Sequence, residues 1–100
     1  MPARYISVPA TTTADILMVT GRIVLMGWSL YEDAGSPALA SAVIRDGTTA
    51  AGALVAAIKM PLSGNSNLWL GDIDVGGIML TTGLFFDMIA GSMSGAVYIG

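Results

Sequence analysis

Apolar runs of strand length, separated by short clusters of glycine, serine, asparagine and aspartate, set the pattern of this chain from residue 15 onward. Side chains alternate between the two faces of a strand, so the faces can be read directly. Residues 23–31 place Val24, Met26, Trp28 and Leu30 on one side and Ile23, Leu25, Gly27, Ser29 and Tyr31 on the other. The Trp28 side is the better core face, and Gly27 beside the indole provides room for it or a bulge. A polar turn, Glu32-Asp33-Ala34-Gly35-Ser36-Pro37, leads to residues 38–45, where Ala40, Ala42 and Ile44 alternate with Leu39, Ser41, Val43 and Arg45. The pattern predicts a hairpin between these two strands, followed by a turn-rich connector over residues 45–52.

The remaining runs follow the same grammar. Residues 15–20 form a strand ending at Gly21-Arg22, and residues 53–60 form another, because Leu54, Ala56, Ile58 and Met60 recur with period two between Gly52 and Pro61. Residues 61–67 read as a loop, 68–70 as a short strand, 71–77 as a second loop and 78–80 as a short strand. Residues 84–90 and 95–99 flank the turn at 91–94 and read as a closing hairpin. In the first of these, Leu84, Phe86 and Met88 face one way and Phe85, Asp87 and Ile89 the other, so both faces are expected to be buried.

Strands at about ten-residue spacing, with glycine-rich turns, predict an all-β fold: a small antiparallel β-sandwich of seven or eight strands. Jelly-roll-like order is preferred for an eight-stranded count, with an immunoglobulin-like sandwich as the alternative. The domain spans residues 14–100. Residues 1–13, with Pro2, Pro9 and three consecutive threonines, are expected to be an extended N-terminal arm, either a frayed terminus or a segment that orders only on a neighbouring subunit with Tyr5, Ile6 and Val8 as its contacts.

Composition narrows the function classes. There is no histidine, which removes the commonest general base and metal ligand, and no cysteine for a disulfide or thiolate site. The four cations, Arg4, Arg22, Arg45 and Lys59, are scattered, whereas nucleic-acid binding needs them clustered. Charged residues are 11% of the chain, against about 25% in ordinary soluble domains, and burial of a second surface by assembly is the simplest remedy. Asp72 and Asp74, with Asn65 and Asn67, offer hard oxygen ligands, but the spacing lacks the twelfth-position glutamate of a calcium loop, and no metal or cofactor is assigned. Residues 75–100 carry one charge, Asp87, yet their glycine spacing suits short strands rather than a spanning helix, and residues 1–9 lack the basic start and apolar core of a signal peptide. No enzyme, nucleic-acid or membrane role is expected. The candidate interface residues are Tyr5, Ile6 and Val8 of the arm, with Leu25, Tyr31, Phe85 and Ile89 on strand faces turned away from the expected core.

The runs Gly27-Trp28-Ser29-Leu30-Tyr31-Glu32, Ala42-Val43-Ile44-Arg45-Asp46-Gly47, Leu54-Val55-Ala56-Ala57-Ile58, Gly77-Ile78-Met79-Leu80 and the stretch 83–92 together resemble small virion proteins of tailed bacteriophages. The chain departs from that pattern at Gly71-Asp72-Ile73-Asp74, where a Gly-Pro-rich turn is expected. The resemblance implies a structural virion subunit of the capsid surface. It would be a decoration or cement protein that binds the major capsid protein and forms a homo-oligomer, often a trimer. The alternative is a receptor- or carbohydrate-binding module of a tail or head fibre, with Trp28, Trp69 and Tyr98 as stacking faces.

Overall fold

A computed structural model describes residues 4–35, 38–70 and 76–100. The described chain is all-β, with nine strands: β1 (Arg4–Thr12), β2 (Ile16–Thr20), β3 (Ile23–Glu32), β4 (Ala40–Asp46), β5 (Ala53–Met60), β6 (Asn65–Trp69), β7 (Ile78–Leu80), β8 (Gly83–Ala90) and β9 (Met93–Ile99). They form two antiparallel sheets. One has the order β1-β9-β3-β6, with β7 also paired to β3, and the other the order β2-β8-β4-β5.

The pairings have a simple logic. β6 pairs with the second half of β3 (Gly27 to Tyr31) and β7 with its first half (Ile23 to Leu25), so the two act as one interrupted strand along one edge of β3. With β6 and β7 counted together, the chain is a long antiparallel ribbon: β1 with β9, β2 with β8, β3 with β6/β7, and β4 with β5. The ribbon then wraps on itself so that β9 meets β3 and β8 meets β4. That is the winding of an eight-stranded jelly roll in two four-stranded layers.

This winding corrects two expected hairpins. β3 and β4 lie in different sheets, as do β8 and β9, so both connections cross the sandwich instead of turning back in one sheet. The crossing after β8 is tight: Gly91 has φ +71°, and a Cβ there would meet the Leu39 carbonyl oxygen. Of the consecutive strands, only β4 and β5 form a paired hairpin, at the closed end of the ribbon.

The N-terminal segment is also corrected. Residues 4–12 are not an arm awaiting a partner but the edge strand of the first sheet, paired to β9 from Arg4↔Ile99 to Val8↔Gly95. Val8 is buried in the core and Ile6 packs against it. Pro9 follows at a register shift, on an edge strand, where a missing N–H disrupts no ladder.

Between the sheets lies one apolar cluster. Val8, Ile23, Leu25, Trp28, Leu30, Leu80, Met93, Val97 and Ile99 come from the first sheet; Ala40, Ala42, Ile44, Ile58, Met60, Leu84 and Phe86 come from the second. In β3 the buried set changes parity along the strand. Ile23 and Leu25 face inward before a bulge, Trp28 and Leu30 after it. The bulge falls between Leu25↔Ile99 and Gly27↔Tyr98, leaving Met26 as the extra residue. Val24 and Met26, expected in the core with Trp28, are therefore only half-buried.

Candidate functional site

The two outer faces of the sandwich differ in chemistry. On the β2-β8-β4-β5 sheet, register places Leu17, Phe85, Arg45 and Leu54 in one row across all four strands. Asp87, Val43 and Ala57 form the next row. Arg45 Nε donates to Asp87 Oδ2 at 2.9 Å, and Arg45 Nη1 donates to the Gly52 carbonyl at 3.0 Å, so the pair at the centre of this face is internally satisfied. Around it Leu17 (48% exposed), Leu54 (59%) and Ile89 (57%) stand in solvent. The result is a largely apolar face with its central charges neutralised and one exposed cation, Lys59, at its β5 edge.

The outer face of the first sheet is aromatic and polar. Tyr5 pairs with Tyr98, Tyr98 with Gly27, and Gly27 with Trp69, so one row crosses four strands with a gap at the glycine. Gly27 has φ +150°, and a Cβ on it would clash with the Leu68 carbonyl oxygen. Only glycine fits this bulge. Across the gap the rings of Trp69 and Tyr98 meet edge to face, with centroids 6.0 Å apart and planes at 74°. The next row along the strands is Ser7, Ala96, Ser29 and Asn67, and Ser29 Oγ donates to Asn67 Oδ1 at 2.8 Å. Trp28, Ser29, Asn67, Leu68, Trp69 and Tyr98 line an open depression of about 430 Å³ here.

The described carboxylates serve the frame. Glu32 accepts from the backbone N–H groups of Ala34 (2.6 Å) and Ser63 (2.9 Å), pinning the turn before β6 to the end of β3. Those same bonds hold its carboxyl below the usual range. Asp46 accepts from the N–H groups of Thr81 (3.0 Å) and Thr82 (2.9 Å), which depress its pKa and fix the turn between β7 and β8. Asp33 accepts from Thr11 N–H (2.6 Å) and Ser92 Oγ (3.0 Å), and Asp15 from Met88 N–H (2.8 Å). Glu32, the buried one of these four, thus has its burial matched by partners.

Of the expected interface residues, Tyr5, Tyr31 and Ile89 are exposed and Phe85 is half-buried. Ile89 and Phe85 thus correct the expectation that β8 is buried on both faces. Val8 and Leu25 lie in the core and Ile6 packs against it, so these three are unavailable to a partner. The aromatic trio is also divided: Trp28 is buried, its Nε1–H bonded to Ser66 Oγ at 3.0 Å, while Trp69 and Tyr98 come together at the surface. Asn65 and Asn67, expected in a loop, belong to β6. Asp72 and Asp74 fall outside the described residues. Sequence reasoning missed Leu17 and Leu54 as surface residues, and it could not place Asn67 beside Ser29. Among the described residues no group of three or more acidic side chains is placed to hold a metal ion, and no helix is long and apolar enough to cross a membrane.

No family model, curated protein or solved structure matches this chain.

Proposed function

We propose that this chain is a structural subunit that works in an assembly, as a decoration or cement protein on the head of a tailed bacteriophage, contacting the capsid protein and copies of itself. The observation that carries the reading is the outer face of the β2-β8-β4-β5 sheet. Leu17, Leu54 and Ile89 are exposed around an ion pair that already satisfies its own charges, which is the composition of a surface that is covered in use. The β5 edge supports the same reading. It runs from Ala53 to Met60 without a proline and with one cation, Lys59, so its unpaired backbone is weakly protected against pairing with another strand. The jelly roll is an architecture of viral capsid domains and also of lectins, which is an analogy of fold rather than of site.

Copy number on purified particles tests this reading. A decoration subunit is present in many copies, and stripping it lowers the temperature at which the shell ruptures, because a protein that binds only the assembled shell stabilises it by mass action. A few copies per particle, with shell stability unchanged and adsorption to cells altered, would replace it with the second reading, a receptor- or carbohydrate-binding module of a fibre. The observation favouring that reading is the pairing of Trp69 with Tyr98 on the opposite face.

A further inference from the structure

We infer that the outer face of the β1-β9-β3-β6 sheet is a binding site for a neutral glycan, with Trp69 and Tyr98 as its stacking corner and Asn67 as its polar reader. The two outer faces make the case by contrast. One is aliphatic around a closed ion pair. The other presents rings, hydroxyls and amides, and among the described residues no charged side chain stands in its central rows, Tyr5/Tyr98/Gly27/Trp69 and Ser7/Ala96/Ser29/Asn67. Such a surface offers nothing specific to a phosphate, a carboxylate or a basic peptide. A pyranose needs the opposite combination: a flat apolar face for its C–H groups and uncharged hydrogen-bonding groups at the ring edge.

The geometry supplies both. The rings of Trp69 and Tyr98, at 74° to each other, form a floor and a wall, and Trp69 is 54% exposed. Gly27, compelled by the bulge whether or not a ligand binds, puts no side chain between the two rings, and the place of its Cβ is filled by the Leu68 carbonyl, so the corner is formed by the rings alone. Asn67 lies two residues along β6 from Trp69, about 7 Å away at the usual strand rise, within reach of the hydroxyls of a sugar stacked on the corner. Its Oδ1 is occupied by the Ser29 hydroxyl, which orients the amide so that its NH₂ group is the part left for a ligand, while Ser29 Oγ keeps acceptor capacity. Tyr5, 70% exposed, extends the row across β1. The row spans about 14 Å over three interstrand spacings, room for a short run of linked pyranoses rather than one sugar alone. The inference rests on and deepens the second reading given above, carbohydrate binding at this face, and its failure would leave untouched the assembly reading, which stands on the other face.

The chain has two tryptophans, one buried and one at the corner, so intrinsic fluorescence reports on the site. Maltohexaose, cellohexaose and chitohexaose are titrated into the full-length protein to 10 mM. At least one is expected to shift the Trp69 emission of the parent protein saturably. Binding to the variants is read by isothermal titration calorimetry, since W69A and W69F lack the reporter. W69A and Y98A are each expected to weaken it tenfold or more and N67A several-fold, while T48A, in the connector between β4 and β5, leaves it unchanged. W69F, which keeps a ring, covers the case in which W69A fails to fold, and is expected to retain binding. No saturable change with any of the three sugars overturns the proposal, as does binding that survives W69A. An emission change that follows protein concentration without sugar would overturn it in favour of self-association through this face.

Discussion

Gly27 shows how one residue can serve a backbone and a surface at once. Its φ of +150° is costly for other residues, and the Leu68 carbonyl oxygen occupies the place of a side chain. Gly27→Ala must displace β6 at the point where Trp69 is held. The expected cost is about 2 kcal/mol or more, read from the denaturation midpoint together with a changed Trp69 emission; a variant as stable as the parent would show that the bulge is not required. The sequence marked this glycine as giving room or a bulge. What it could not show is that the room is taken by backbone from a strand about forty residues away, since only pairing brings Leu68 there. The carboxylates add a second prediction at this scale. Backbone donors hold Glu32 and Asp46 below their ordinary pKa values, so their contribution to stability is complete above those values and is lost as protonation proceeds below them. The melting temperature is expected to fall with pH below about 4.5, the ordinary glutamate value, and E32Q is expected to lower stability at pH 7 while making the acid limb shallower. An E32Q acid limb identical to that of the parent would contradict the role given to Glu32.

At the scale of elements, alternation told which side chains share a face but not which strands are neighbours. Connections such as residues 33–39 after β3 and even 91–92 after β8 can reach an adjacent strand about 5 Å away or the opposite sheet about 10 Å away. The loops after β3 and β8 take the second course, and nothing in their glycines, serines and proline distinguishes the two. The bulges hide more. The β3 bulge adds one residue and reverses the inward set, which is why Leu25 is core although it shares parity with outward Tyr31. The single proline of β1, Pro9, argues against a central strand and says little about an edge, so the residue pattern points to an arm where the fold has an edge strand. Its role is testable by truncation. Deleting residues 1–12 removes Val8 from the core, strips Ile6 from its packing and leaves β9 unpaired on one side, so the truncated chain is expected to lose at least about 3 kcal/mol or fail to fold. Tyr5→Ala, on the outer face of the same strand, is expected to change stability by less than about 0.5 kcal/mol. A truncated domain melting at the parent temperature would restore the mobile arm.

For the molecule as a whole, area and composition point in different directions. The surface of 5252 Å² is close to the roughly 5300 Å² that a monomer of this mass ordinarily has. The sandwich is therefore no more compact than others, yet it covers itself with 11% charged residues, and the five described carboxylates are committed to holding turns and strands together. Solubility of the lone subunit rests on few free charges, and the aliphatic face is where a partner would relieve it. Sedimentation equilibrium of the purified chain between 1 and 100 µM tests this most directly. The expected result is a stable oligomer, a trimer by the phage resemblance, burying well over about 1,000 Å² per contact, and driven to monomer by L54E or I89E without loss of the fold. A single 10.2 kDa species across the whole range, unaltered by either substitution, would contradict the account.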